Sequence, residues 1–288
     1  MTRVQQVETT AEIRALVEAW RRDGGSIGFV PTMGALHAGH ERLIQRAREE
    51  CDRVVVSIFV NPLQFDRAED LERYPRTLDA DAGVCDRLGV DLLFVPTVHE
   101  MYPDQPAVTV DPGPLATHLC GAWRPGHFRG VATVVLKLLN SVRADRAYFG
   151  EKDAQQLAII RRMVADFNLP VMIVSVPTVR EADGLALSSR NARLSARERA
   201  LAPRLYQALR TASDLIAAGA TDAAAVKSAA ARVIGSDDPV RLEYLEIVEP
   251  QDLQPVETID GPVLIAGALW VGTTRLIDNC QVPAGALP

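Results

Sequence analysis

Cysteine is scarce in this sequence of 288 residues: Cys51, Cys85, Cys120 and Cys280 stand at wide, irregular intervals and form no CxxC pair. That spacing argues against a disulfide framework or a zinc ribbon and suits reduced thiols in a cytoplasmic protein. Surplus positive charge is also missing, with 31 Lys and Arg against 37 Asp and Glu and a formal net charge of -6. This argues against a general binder of nucleic acid or anionic membrane, while a local basic pocket for a small anionic substrate stays open. No apolar string approaches a membrane span; Val54-Val55-Val56-Ser57-Ile58-Phe59-Val60 is typical of the longest. The first residues, MTRVQQVETT, lack the apolar stretch of a signal peptide, so a soluble, unprocessed chain with no membrane partner is expected. Two phosphate-binding signatures are absent as well. Neither GxxxxGK[ST] nor a GxGxxG turn after a strand occurs, which removes the main support for kinase and dehydrogenase readings.

What is present begins with length, which at roughly 150 residues per domain predicts two domains. Short β-branched apolar runs alternate with amphipathic stretches from residue 26 to about residue 176. Strands are expected at Ser26 to Val30, Val54 to Val60, Val90 to Val95, Ala147 to Phe149 and Val171 to Val176, and helices at Glu41 to Glu50, Leu78 to Leu88, Val131 to Val142 and Ala154 to Phe167. Strands this short and apolar are buried on both faces, which predicts a doubly wound parallel sheet with right-handed crossovers. After about residue 178 the texture changes. Ser195-Ala196-Arg197-Glu198 reads as a capping box opening a long helix, and the ten alanines of residues 211 to 233 read as a helix pair with Leu215, Ile216, Val226 and Val233 on its apolar face. Arg241 to Val248 and Gly261 to Asn279, the latter broken at Gly272-Thr273-Thr274, predict antiparallel strands. The boundary is expected near residue 178, separating a catalytic domain over 1–178 from a smaller α+β domain over 179–288.

The first predicted strand runs into Pro31-Thr32-Met33-Gly34-Ala35-Leu36-His37-Ala38-Gly39-His40 and then into a helix. This strand-to-helix turn lies at the carboxyl edge of the sheet, where open α/β sheets bind ligands and a helix amino terminus offers N–H groups to a phosphate. Two imidazoles three residues apart can face one phosphate, and the glycines permit close approach. The same pair can instead serve only to cap the helix. Zinc ligation is disfavoured, since His118, Cys120 and His127 match no standard spacing. Gly150-Glu151-Lys152-Asp153-Ala154-Gln155-Gln156 also follows a strand; its lysine can meet a phosphate, or Asp153 can simply cap a solvated helix start. Serine hydroxyls and the arginine in Thr178 to Asn191 suit a polyphosphate, with a polar linker as the plain alternative. Asn61-Pro62-Leu63-Gln64-Phe65 offers amides to a hydroxyl or carboxylate, and Arg124 in Arg124-Pro125-Gly126-His127 can serve an anion or the surface.

Taken in order, PTMGALHAGH, FVNPLQF, RYPRT, RPGHFRG, YFGEKDAQQL, TVREADGLALSSRN and RLIDN resemble the pantothenate synthetase family through almost the whole chain. The resemblance implies an α/β fold: a Rossmann-like doubly wound sheet of the HxGH nucleotidyltransferase type, with a smaller C-terminal α+β lid. It implies condensation of pantoate with β-alanine at the expense of ATP, with Mg²⁺ carried by the nucleotide, in a homodimer. Carried over residue by residue, ATP would meet Met33, Gly34, Ala35, Leu36, His37, Ala38, Gly39 and His40, then Gly150, Glu151, Lys152 and Asp153, and finally Val179, Leu187, Ser188, Ser189 and Arg190. His37, at the family's proton-donor position, would act with His40, Lys152, Ser188, Ser189 and Arg190 as the catalytic set. Gln64 would contact pantoate and β-alanine, Gln156 would contact pantoate, and Asn61 and Arg124 join them as substrate-binding candidates. Two departures stand out: the family usually has Met where Leu187 stands and often Tyr where Ala154 stands. Neither alters a polar or charged position. The resemblance assigns no Mg²⁺ ligands, although it points to acidic residues near Tyr74 to Asp81.

The resemblance implies attack of the pantoate carboxylate on the α-phosphorus of ATP, then attack of the amine on the acyl adenylate. An acyl adenylate must be shielded from water, so the second domain is expected to close during turnover. Two other readings share the motifs: a plain nucleotidyltransferase that stops at the nucleotidyl product, and a silent nucleotide-binding module.

Overall fold

The computed structural model describes residues 4–235 and 238–283. The chain divides into two compact units. One holds the chain before Gly113 together with Arg124–Glu151 and Ile159–Pro177; the other holds Gly113–Trp123, Lys152–Ala158 and the chain from Thr178 onward.

Six parallel strands make the sheet of the first unit: β1 (Gln5–Val7), β2 (Ile27–Thr32), β3 (Arg53–Ile58), β4 (Leu92–Phe94), β5 (Arg146–Gly150) and β6 (Met172–Val176). Their spatial order is β1-β4-β3-β2-β5-β6. From β2 the chain first winds outward through β3 and β4, then returns to place β5 on the other side of β2. The order therefore reverses between β2 and β5, and the crevice at their carboxyl ends is where doubly wound sheets take ligands. The inner strands are β-branched and almost wholly buried because helices cover them: Phe29, Val30, Val54, Val55 and Val56 are fully inaccessible. Helix Ala38–Glu50 packs on β2, β3 and β5, burying Leu43, Ile44 and Ala47 at helical spacing.

β1 is absent from the sequence reading because Gln5-Gln6-Val7 has no apolar run; only pairing with β4 makes it a strand. The helix that follows, Thr10–Arg22, is opened by a full capping box between Thr9 and Glu12.

In the second unit, helices Arg204–Ala217 and Ala223–Ile234 pack against an antiparallel sheet ordered β7 (Val240–Val248), β8 (Val263–Val271), β9 (Thr274–Val282). Leu205, Ala208, Leu209, Ala212 and Ile216 form one stripe that meets Val226, Ala230 and Ile234, so alanine here supplies close helix packing rather than low complexity. The long helix expected from Ser195 is a short one. Ser195 and Glu198 do form the capping box, but Ala196–Leu201 stops before Pro203, which has no N–H to continue the ladder, and a new helix starts at Arg204. Among the described residues no helix is long and apolar enough to cross a membrane.

Candidate active site

The turn after β2 is held by one carboxylate. Asp81, 2% exposed, accepts N–H bonds from Ala35 (2.9 Å) and Leu36 (2.8 Å) and a hydroxyl bond from Thr77 (3.1 Å). Gly34 and Ala35 both have positive φ, +82° and +52°. Ala35 in that region costs on the order of 1 kcal/mol or more, and two charge-assisted bonds to Asp81 offset it. The neighbouring Cys85 thiol is pushed up to about 12 by burial and by the Asp81 charge, so it stays protonated and inert.

That turn delivers His37 as the N-cap of helix Ala38–Glu50. His37 Nδ1 accepts the Gly39 N–H (3.1 Å), and His40 Nδ1 accepts the His37 N–H (3.3 Å). The two imidazoles thus replace the usual Ser and Glu of a capping box. A neutral imidazole whose Nδ1 accepts must carry its proton on Nε2, so both rings are Nε2–H donors. Their centroids lie 4.2 Å apart. Gly39 allows this arrangement, since a Cβ there would stand 2.8 Å from the His37 ring. Capping occupies the Nδ1 side of each ring, so capping and phosphate donation, alternatives on sequence grounds, do not compete for one nitrogen.

After β3 the 3₁₀ turn Pro62–Gln64 is capped by Asn61, which is 1% exposed. Helix His127–Val142 presses directly on this turn at Gly130, where any Cβ would overlap the Leu63 carbonyl. Gln64 donates from Nε2 to Met33 Sδ at 3.2 Å, joining the turn to the one after β2. Arg124 donates to Asp66 through Nε (3.0 Å) and Nη2 (2.9 Å) and to the Gln64 carbonyl (3.2 Å), while His127 Nδ1 donates to the same carbonyl at 2.7 Å. Burial, the largest single influence, works to raise the Asp66 carboxyl, but the Arg124 charge and hydrogen bonds, with smaller help from the backbone and His127, together hold the group below its ordinary value. Arg124 therefore clamps the Gln64 turn. Gly150 and Glu151 close the group, at the carboxyl end of β5 beside β2.

A 3₁₀ turn, Glu151–Asp153, precedes helix Ala154–Asp166, which starts at the residue the sequence predicts, and Lys152 in that turn belongs to the second unit. Its ammonium is 3.9 Å from Asp153 Oδ1, and its carbonyl accepts from Asn279 Nδ2 at 2.9 Å. Next to Asn279 on β9, Asp278 takes both Arg180 Nη1 (2.5 Å) and Nη2 (2.9 Å). Arg180 bridges back to Ala186, and the Leu187 N–H donates to the Val179 carbonyl at 3.0 Å. Ser188 then caps the turn Ser189–Arg193 by accepting the Arg190 N–H at 3.2 Å. The RLIDN segment, a motif without a role on sequence grounds, thus ties Lys152 to the Ser188–Arg190 turn. Gln155 is buried and donates to the Leu115 and His118 carbonyls, whereas Gln156 is half-buried. Sequence reading missed Asp81 as the latch and missed Asp278 and Asn279, although the resemblance points to acidic residues near Tyr74 to Asp81 and the last two belong to a recognised motif.

The family model for pantoate-beta-alanine ligase matches residues 5–281. A pantothenate synthetase of Heliobacterium modesticaldum is 54% identical over 276 residues, covering 96% of this chain and 98% of that protein. A bifunctional pantoate ligase/cytidylate kinase of Thermosynechococcus vestitus is 60% identical over 258 residues, and there the match covers 88% of this chain and 50% of the relative. The chain thus spans about half the length of bifunctional relatives of that kind. The crystal structure of pantothenate synthetase from Thermus thermophilus superposes with a TM-score of 0.90 at 46% identity over 99% of this chain and 100% of that one. A pantoate-beta-alanine ligase from Francisella tularensis, complexed with beta-gamma ATP and beta-alanine, superposes with a TM-score of 0.78 at 34% identity, covering 96% and 97% of the two chains. With its sheet order, its paired imidazoles and a match over nearly all its length, the chain belongs to the pantoate-beta-alanine ligase family.

Proposed function

We propose that this chain joins pantoate to β-alanine with ATP, giving pantothenate, AMP and pyrophosphate through a pantoyl adenylate. The observation that carries this reading is the pair of Nε2–H imidazoles at the amino terminus of helix Ala38–Glu50, beside the strand-order reversal. Neutral donors at a helix amino terminus suit an α-phosphate that gains negative charge as it becomes five-coordinate. A pantoate carboxylate oxygen bonds to the α-phosphorus as the bond to pyrophosphate breaks. The β-alanine amine then bonds to the acyl carbon, the carbon–oxygen bond to AMP breaks, and the amine proton leaves to solvent.

In this reading Met33 to His40 and Gly150 with Glu151 bind the adenosine and α-phosphate. Lys152, Asp153, Val179 and Leu187 with Ser188, Ser189 and Arg190 serve the base and the outer phosphates. Gln64 and Gln156 hold pantoate. Asn61 and Arg124 act by fixing Gln64, as their observed partners suggest.

Mg²⁺ fits as a companion of the ATP phosphates, which need only one or two protein carboxylates beside them. Asp81, the buried carboxylate nearest the turn, is already filled by N–H and O–H donors. Among the described residues no three His, Cys, Asp or Glu side chains are grouped to hold a metal. Bound to ATP, the ion would neutralise charge on the departing pyrophosphate.

The chain acts as a cytoplasmic homodimer in this proposal. Four unpaired thiols support a reducing compartment. Phe167 and Met172, both exposed at or near β6, the last strand in the sheet order, support a second copy as partner.

Oxygen transfer tests the chemistry. With pantoate labelled by ¹⁸O in its carboxylate, one label should appear in the phosphate of AMP. Label found in inorganic phosphate, with ADP as the nucleotide product, would replace the adenylate with an acyl phosphate.

A further inference from the structure

RLIDN has no part in the chemistry proposed above, yet its last two residues, Asp278 and Asn279, hold both arms of the polyphosphate site. Both are buried on β9. Asp278 takes the Arg180 guanidinium at two points, Nη1 at 2.5 Å and Nη2 at 2.9 Å, and the same Nη1 donates to the Gly184 carbonyl at 3.0 Å. Arg180 also lies 4.3 Å from the Tyr206 ring, and that ring stands so near Gly184 that a Cβ there would be 2.1 Å from it. The chain that bridges Arg180 to Ala186 and ends in the Ser188 cap is thus fastened both to β9 and to helix Arg204–Ala217. Asn279 serves the other arm. Its Nδ2 donates to the Lys152 carbonyl at 2.9 Å, while its own N–H donates to Asp278 Oδ1 at 2.8 Å.

We propose that Asn279 is a positioning residue for ATP: by holding the Lys152 backbone on β9, beside the Asp278–Arg180 pair that holds the Ser188–Arg190 turn, it keeps the ammonium and that turn on the same outer phosphates. Asn279 touches no substrate in this account. It acts through Lys152, whose side chain is only 19% exposed and so has little room to swing if its backbone is displaced. Released from Asn279, Lys152 keeps its charge and loses its place. The loss falls on the β- and γ-phosphates and spares the adenosine and α-phosphate, which other residues meet. Arg180, with its charge matched by Asp278, supports the site and is no phosphate ligand itself. The inference rests on the reading that Lys152 and the Ser188–Arg190 turn take the outer phosphates of ATP.

The test measures ATP and AMP binding by calorimetry, with Mg²⁺, on the full chain, on Asn279→Ala, on Lys152→Ala and on the double variant. Asn279→Ala should weaken ATP about 10-fold, the scale of coupling between residues in contact, and leave AMP within about twofold, since AMP lacks the phosphates that Lys152 meets. In the Lys152→Ala background the same substitution should change ATP affinity by less than about twofold, because a residue acting through another has nothing left to position. A merely structural role would weaken ATP and AMP in parallel and persist undiminished without Lys152. Either of those results, or an ATP affinity that Asn279→Ala leaves unchanged, overturns the proposal. Should Asn279→Ala fail to fold, Asn279→Ser, whose hydroxyl is one bond shorter than the amide nitrogen, takes its place in the same cycle. Failure of the functional reading looks different, because Lys152→Ala alone would then leave ATP affinity unchanged and the unaltered chain would turn over no pantoate.

Discussion

His37 caps its helix through Nδ1, whereas the proposed donor role belongs to Nε2, so the two roles separate by substitution. His37→Ala removes both and should lower stability by about 1 kcal/mol, the ordinary value of an N-cap, with turnover falling about 10²- to 10³-fold as for a lost transition-state donor. His37→Asn keeps a strong capping side chain and should keep the unfolding midpoint while losing turnover to the same degree. Denaturant titration beside steady-state kinetics checks this; equal destabilisation of both variants would deny the cap, and an active His37→Asn would deny the donor. The imidazole pair was legible in the sequence because its spacing and its place after a strand are local. Asp81 was not. It stands more than forty residues along the chain, and nothing in Thr77-Leu78-Asp79-Ala80-Asp81 distinguishes the carboxylate that receives the Ala35 and Leu36 amides from Asp79 beside it. The same holds for Asp66, the carboxylate of the same unit that Arg124 meets.

Helices and strands follow the sequence where period and apolarity agree, as in β2, β3 and helix Ala38–Glu50. They depart from it where one backbone feature overrides the pattern. Pro203 divides the helix that Ser195 opens, and pairing alone makes a strand of Gln5–Val7. Helix His127–Val142 is more than a crossover: Gly130 lets it press on the Asn61–Gln64 turn and supply the carbonyl that fixes Asn61. Gly130→Ala must push that turn away. It should cost about 1–3 kcal/mol by overpacking, and a displacement on the order of 1 Å at Gln64 should lower kcat/KM for pantoate by as much as about 10²-fold. Thermal unfolding and pantoate kinetics give the two readings. A variant with unaltered stability would mean that the helix can withdraw, and that it does not fix the turn.

At the scale of the whole molecule, alternating strands and helices announced a parallel sheet, but the order β1-β4-β3-β2-β5-β6 is a tertiary fact. That order brings the turns after β2 and β5 to one crevice, although more than a hundred residues separate His37 from Gly150. The division of the chain was only partly legible for a similar reason. Gly113–Trp123 and Lys152–Ala158 group with the later chain through contacts such as Gln155 with Leu115 and Cys120 with Tyr244, which no composition shift marks. Lys152 thereby joins the same unit as Ser188, Ser189 and Arg190, tied through Asn279 and Asp278. The activity proposed for this chain is an AMP-forming ligation. Chromatography of the nucleotides formed from ATP, Mg²⁺ and pantoate, with and without β-alanine, tests it most directly. AMP and pantothenate should appear in equal amounts and in sustained turnover only when β-alanine is present; ADP as the product, or AMP formation indifferent to the amine, would contradict the assignment.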